Sequence, residues 1–362
     1  MYRGTKEISK ESVQHAFYSK YGSSSSFSSH ACKNMNAFLL SLLPCLVYSE
    51  SNPSADTTAL FTTFKSTYNR TYATPAEEER RFDAFQQNVK QAANFQHHEQ
   101  LTGMFGVGPH SDYTPEEFSI MAGYQHVPRS TTSTPLYQHT LPLLTAPIDW
   151  VKKGAVTGVK AQGICGSCWS FSATGSTEGQ HFLKTGALVP LSEQELMDCD
   201  THSIDHGCHG GAPHVAFEWI INNTQNGNGG LCTEAQLDYT GLPDPNCPRI
   251  NGTATLRNWT SISQNETLIA DALSRLGPLS AGINEAGMQH YRGGLTCPIS
   301  DLCDPQGLNH AVLIVGFGVD NGQEYWKVKN SWGESFGEEG YFRICKGKGA
   351  CGINRAVVAA LG

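Results

Sequence analysis

The apolar positions of this chain change period more than once, and the changes divide it into parts. From Asp56 to about Gln125 the pattern is helical and strongly charged. In EEERRFDAFQQNVKQAANFQ, residues Glu77, Arg81, Phe85, Asn88, Ala92 and Gln96 recur at steps of 4, 4, 3, 4 and 4. At roughly 100° per residue these six share one helical stripe about 100° wide. A stripe mixing charge, amide and aromatic groups predicts a helix that docks on something polar. Residues 126–146 turn rich in Ser, Thr and Pro and read as an exposed linker. A body of about 215 residues follows, large enough for two lobes. Its first half is helical: after Trp169, the positions Ser172, Gly175, Ser176 and Gly179 supply a small-residue face, and Gly186 a C-terminal cap. Its second half is strand-rich. AVLIVGFG is a continuous apolar run, VDNGQE a hairpin turn with Asn321-Gly322 at its tip, and EYWKVKNSW the returning strand. Helices first and strands second predict an α+β fold.

One apolar run stands apart. AFLLSLLPCLVYS, residues 37–49, is too short to span a bilayer and has the length of a signal-peptide core. Met35 precedes it, and Val47 and Ser49, or Ser49 and Ser51, supply small residues for cleavage. Residues 35–51 are therefore read as a signal peptide, and the Ser-rich residues 1–34 as an unstructured extension that initiation at Met35 would omit. Twelve cysteines and N-x-[ST] sequons at Asn69, Asn222, Asn251, Asn258 and Asn265 point the same way, to a disulfide-forming secretory route with glycans on the surface. The net charge of -8, from 33 acidic and 25 basic residues, argues against a nucleic-acid partner and suits an acidic compartment.

The candidate chemistry begins at QGICGSCWSF, residues 162–171. Cys165 and Cys168 are spaced for a zinc site, for a redox dithiol, or for a nucleophile beside a structural thiol. His310 and Asn330 weigh on the choice. Each flanks the Asn321-Gly322 turn, so a hairpin brings both to one end of the ladder. An amide oxygen there can hold one ring nitrogen of the histidine and leave the other for a nucleophile. Cys168 supplies that nucleophile if it starts the following helix, where the macrodipole and an imidazolium would populate its thiolate at acidic to neutral pH. Gln162 can reach back to complete an oxyanion hole with the Cys168 N–H, and Trp332 can shield the His–Asn pair. The rival zinc reading draws on Cys199, His202, His206, Cys208 and His209, but a secretory chain would oxidise such thiols; no metal or other cofactor is expected.

These segments resemble the papain-like cysteine peptidases. QGICGSCWSF is similar to the family's nucleophile signature, GLNHAVLIVGFG to its histidine segment, and WKVKNSWGESFGEEGY to its asparagine segment; LSEQELMDCD and GCHGG are further family-like stretches. The order of the stripe, E-R-F-N-A-Q, is similar to the propeptide motif of cathepsin F-like enzymes. The resemblance runs from about residue 56 to the C-terminus. It implies a papain-like two-lobe α+β fold, with a helical left lobe, a β-barrel-like right lobe, and an active site in the cleft between them. A mainly helical inhibitory propeptide over 52–144 would lie backwards through that cleft, and the mature domain would cover 145–362. It further implies bridges Cys165–Cys208, Cys199–Cys247 and Cys303–Cys351. Cys297 and Cys345 each stand six residues before a member of the last pair and suggest a fourth. Cys232 is left free, or competes with Cys247 for Cys199.

The implied function is an endopeptidase made as a zymogen. Cys168 would act as nucleophile, His310 as general acid and base, Asn330 as its orienter and Gln162 as the oxyanion donor. Gly210, Gly211, Ala212, Pro213, Gly282, Leu308, Asn309, Trp332 and Ala356 would bind substrate. The small, apolar walls among them predict a roomy pocket for Leu, Phe or Val two positions before the cut, with no carboxylate at Ala356 to favour Arg. A peptide-binding homologue without activity would have lost Cys, His or Asn, and a transglutaminase-like enzyme would carry Asp where Asn330 stands. Expected partners are peptides and proteins, the chain's own propeptide and cystatin-type inhibitors, for a monomer in a lysosome, another acidic vacuole or the extracellular space. Where the family usually has G-x-N/T-x-F-x-D, this chain has Gly106, Gly108, His110 and Asp112, so the amide or hydroxyl is missing at Gly108 and the aromatic at His110. This predicts a weakened propeptide segment that protonation of His110 would loosen; drift at a tolerant position is the plainer alternative.

Overall fold

The computed structural model describes residues 53–126, 136–139, 141–201, 203–248 and 250–362. Residues 1–52, with Cys32 in the Ser-rich stretch and Cys45 in the apolar run expected to be a signal peptide, lie outside the described residues, as do 127–135 and 140 of the linker, and His202.

The N-terminal part is built on two helices, α1 (Pro53–Thr67) and α2 (Pro75–His98). Thr74 caps α2: its hydroxyl accepts the Glu77 N–H at 3.1 Å, and the Glu77 carboxylate reaches back to the Ala73 N–H at 2.9 Å. Phe61, Phe64 and Phe85 form a small aromatic core between the helices. The polar members of the α2 stripe meet the irregular chain that follows. Arg81 bonds Glu117 and the Asp112 carbonyl, Asn88 donates to the carbonyls of Ser111 (2.9 Å) and Tyr113 (2.8 Å), and Gln96 bonds Gly103 and the Phe105 N–H. The "something polar" is thus the backbone of residues 103–113, whose donors and acceptors would otherwise be unpaired. That stretch holds β1 (Met104–Phe105) and leads to the one-turn α3 (Pro115–Ser119), closed by a Thr114/Glu117 capping box.

The body begins with β2 (Ile148–Asp149). It continues through α4 (Cys168–Thr185), α5 (Glu193–Cys199), α6 (Pro213–Gln225), β3 (Asn258–Ile262) and α7 (Glu266–Leu276). The remaining strands are β4 (Leu279–Ile283), β5 (Tyr291–Gly293), β6 (Leu295–Thr296), β7 (His310–Asp320), β8 (Gln323–Lys329), β9 (Tyr341–Cys345) and β10 (Val357–Leu361). The main sheet runs β3-β10-β4-β7-β8-β9-β6, with β2 added to β7; only β6 and β9 pair in parallel. The β7–β8 hairpin turns at Asn321 (φ 49°) and Gly322 (φ 84°), the two positive values that a two-residue turn of this hand requires.

Two large cores result. One gathers Trp169, Leu196, Phe217, Ile220 and Leu231 among α4, α5 and α6. The other gathers Ile269, Val312, Ile314, Phe317, Trp326 and Phe342 around the sheet and α7, and it also takes in Phe118 and Met121 from the N-terminal part. Helix α4 lies between the cores because its face is small. A Cβ on Gly175 would come 2.8 Å from Leu313, and one on Gly179 would come 2.7 Å from Pro278. Ser172 and Ser176 use the same closeness to donate to the carbonyls of Val312 and Pro278.

Among the described residues four disulfides pin the loops: Cys165–Cys208, Cys199–Cys247, Cys297–Cys345 and Cys303–Cys351. Cys232 is a free, buried thiol, its own N–H held by Glu195 at 2.6 Å.

Candidate active site

Cys168 is the first residue of α4 and is fully buried. Its sulfur accepts the Ala311 N–H at 3.4 Å, so the start of α4 meets the start of β7. His310 opens β7 and pairs with Ile283 of β4. Its Nε2 lies 2.8 Å from Asn330 Oδ1, just past the end of β8. The same oxygen accepts the Ser331 N–H at 2.8 Å, so it is the acceptor and the proton sits on His310 Nε2. Nδ1 makes no hydrogen bond of ordinary geometry, though the Met121 carbonyl lies near enough to favour the protonated ring. Trp332 covers the pair, with ring centroids 4.7 Å apart.

Gln162 stands over this group. Its Nε2 donates to the carbonyls of Cys165 (2.7 Å) and Met121 (2.9 Å), and its Oε1 accepts the Ser331 hydroxyl at 2.6 Å. Backbone bonds tie the two loops together, from the Gln162 N–H to the Ser331 carbonyl at 2.8 Å and through a bridge between Ala161 and Trp332. Ser331 escaped the sequence reading, although it directly follows Asn330.

A strap of the N-terminal part crosses the site. The Tyr124 N–H donates to the Asn309 carbonyl, the Gln125 N–H to Gly211, and the Gly211 N–H back to Gly123. Tyr124 and Gly211 pair in parallel. At Gly123 only a hydrogen fits, because a Cβ there would lie 1.7 Å from the Gly166 carbonyl oxygen. Phe118 packs edge-on against Trp332 at 5.1 Å. At the other end the Tyr124 ring rests against Gly282, whose N–H bonds the Ala356 carbonyl at 2.9 Å. Leu308 is buried, as is Ala212, whose N–H is held by Asp205 at 2.7 Å; Pro213 opens α6.

Covered in this way, the pair is electrically neutral. Burial pushes the Cys168 thiol up to about 12, against the lowering effect of the Ala311, Gly123 and Trp169 N–H groups and with a further rise from the Glu285 charge. Burial pulls His310 down to about 4, opposed by Asn330 and the Met121 carbonyl. The sequence reading expects a populated thiolate; under the strap, desolvation outweighs the helix dipole. Zinc has no set of thiols to bind here, since Cys165, Cys199 and Cys208 are all in disulfides.

Comparison with known proteins places these features in a class. The papain family cysteine protease model matches residues 144–361, and the cathepsin propeptide inhibitor domain (I29) matches residues 61–118. The chain belongs to the papain family of cysteine proteases, with the family's α+β fold, and it carries the propeptide of a zymogen. Among individual relatives, it is 40% identical to cathepsin F of Mus musculus over 90% of this chain and 70% of that protein. It is likewise 40% identical to the probable cysteine protease RD19B of Arabidopsis thaliana, over 82% of this chain and 85% of that one. A digestive procathepsin L 3 from Tenebrio molitor larval midgut superposes with a TM-score of 0.73 at 34% identity, covering 84% of this chain and 99% of that one.

Proposed function

We propose that this protease cuts internal peptide bonds by acyl transfer, with Cys168 as nucleophile, His310 as acid and base, Asn330 as orienter, and Gln162 with the Cys168 N–H as oxyanion donors. The observation that carries this reading is the convergence of Cys168, the Asn330-held His310 and the Gln162 amide beneath one strap. When the strap leaves, water returns to the pair and the proton can pass from sulfur to Nδ1. The thiolate attacks the peptide carbonyl, and the oxyanion forms against Gln162 Nε2 and the Cys168 N–H. His310 then protonates the leaving amine, and water, deprotonated by His310, releases the acyl group. Among the described residues no other group competes for the nucleophile's role: Cys232, the other free thiol, lies buried against Glu195.

Gly210 and Gly211 offer the backbone to which a substrate strand would add, and Asn309 its carbonyl. Ala212, Pro213, Gly282, Leu308 and Ala356 wall the pocket for the residue two before the cut. Tyr124 resting on Gly282 supports room for an aromatic ring there. Residues 52–144 are the removable propeptide and 145–362 the mature enzyme, starting near Ala146. The five sequon asparagines, Asn69, Asn222, Asn251, Asn258 and Asn265, are all exposed and so accessible to glycosylation. We assign the enzyme to the secretory pathway, in an acidic vacuole or outside the cell, as a monomer open to cystatin-type inhibitors. The test is labelling with a thiol-directed epoxide after acid activation. Wild type should label and Cys168→Ala should not; equal labelling would overturn the assignment.

A further inference from the structure

The chemistry above leaves one buried carboxyl group unused. Glu285 follows β4, two residues past the Ile283 that pairs with His310. Its N–H donates to Asn309 Oδ1 at 3.0 Å, and Asn309 Nδ2 lies 3.4 Å from Glu285 Oε1. The residue is only 5% exposed, and its Oε2 has no hydrogen-bond partner. Burial pushes its acid up to about 8. It is also near enough to Cys168 for its charge to raise the thiol's pKa. A buried carboxyl with an idle oxygen is destabilising, unless it acquires a partner in the working state.

The strap indicates which side of the cut Glu285 serves. With rising residue number it passes from Phe118 at Trp332, through Met121 at Gln162, to Tyr124 at Gly282. It pairs with Gly211 in parallel, whereas a substrate running the opposite way would pair antiparallel. Residues before the cut then lie along Gly211 and Gly282, and residues after it lie toward Trp332. The segment opened by Glu285 belongs to this second side, which the propeptide now covers. Gln289 donates to the His110 carbonyl at 2.7 Å, the Gly106 N–H donates to the His290 carbonyl at 2.8 Å, and Gly287 lies under Phe95. Removing the propeptide opens this wall to water, which relieves the burial that holds the Glu285 acid neutral and lets it ionise.

We infer that Glu285, steadied by Asn309, lines the subsite for the first residue after the cut and selects a lysine or arginine side chain there. The inference rests on the peptidase reading and deepens it. A cationic side chain gives the idle oxygen a charge-assisted partner, while an acidic one meets like charge at a poorly solvated position. Discrimination of about 10-fold or more is expected from such a pair.

The experiment uses acid-activated enzyme and internally quenched peptides with Leu two positions before the cut and Arg, Gln, Leu or Glu directly after it. Wild type should prefer Arg to Glu by about 10-fold or more in kcat/KM, and Glu285→Gln should bring the ratio to within about twofold. A flat wild-type series, or an Arg preference that survives Glu285→Gln, would overturn the inference while leaving the peptidase reading intact. Failure to cut any of the peptides would remove the peptidase reading, and this inference with it. Should Glu285→Gln not fold, Glu285→Ala replaces it, and the wild-type series alone still decides against the idea if Arg is not preferred.

Discussion

The side-chain amide of Gln162 is held at both ends, its oxygen by the Ser331 hydroxyl and its nitrogen by the Cys165 carbonyl. An amide free to rotate would present oxygen as readily as nitrogen to a developing oxyanion, so in the proposed mechanism Ser331 is the residue that positions Gln162. Ser331→Ala removes a 2.6 Å bond while leaving Gln162 in place. The expected result is a fall in kcat of about 5-fold with KM little changed, corresponding to roughly 1 kcal/mol. Steady-state kinetics with one peptide would check it, and an unchanged kcat would assign Ser331 a purely structural place. Ser331 shows what the sequence hides. Cys168, His310 and Asn330 can be read because helix start, strand start and turn each have local signals. A serine hydroxyl that bonds a residue 169 positions away has none. The contacts of Met121, Tyr124 and Glu285 are hidden for the same reason: they come from the crossing of distant segments, not from local period.

Among the elements, the β7–β8 hairpin is the most legible, since its Asn-Gly turn and continuous apolar run determine both hand and burial. Helix α4 was nearly as clear, because small residues at helical spacing need a close neighbour, here Leu313 and Pro278. The short segment around His110 was harder. The sequence predicts weakness where an aromatic is missing, but the His110 ring packs against Tyr113 (5.2 Å), Trp332 (5.9 Å) and Phe118 (6.0 Å) and fills an aromatic's place. Asp112 is secured beside it by the Tyr72 hydroxyl at 2.9 Å. The filling is conditional on charge. Burial, and then the cationic Arg70 and Arg292, pull His110 down to about 4 from the usual histidine value of 6.5. Docking therefore favours the neutral ring. Its contribution is whole above pH 6.5 and is lost as pH falls toward 4, a loss on the order of 3 kcal/mol. His110→Phe should keep the packing and remove the titration, moving the midpoint of self-processing down by about one pH unit. Processing followed by gel across pH 4–7 would check this, and an unmoved midpoint would show that acid acts elsewhere.

Across the whole molecule, the two large cores meet through a group of buried charges as well as through α4. Lys160 lies 2.8 Å from Glu193 and 2.6 Å from Glu234, with Glu178 at 3.8 Å; Thr157 links Glu178 (2.6 Å) to Lys329 (3.0 Å). The carboxylates of Glu178 and Glu193 are almost wholly buried, so their ionised forms depend on these cations. The cleft above is a seam between two bodies that must keep Cys168, on the helical side, in register with His310, on the sheet side. An apolar contact alone would tolerate sliding; converging charge-assisted hydrogen bonds restrict it. Lys160→Met would leave Glu193 and Glu178 without their shared cation and should destabilise the protein by about 3 kcal/mol, read as a lower urea midpoint. The double variant Lys160→Met/Glu193→Leu removes one of the stranded charges and should recover part of that loss. The geometric role separates from the energetic one in activity measured well below the unfolding transition. If the network sets the register, the single variant should lose kcat in proportion more than it gains KM, and the double variant should regain stability without regaining kcat. Equal recovery of both would mean that the charges hold the lobes together without aligning them.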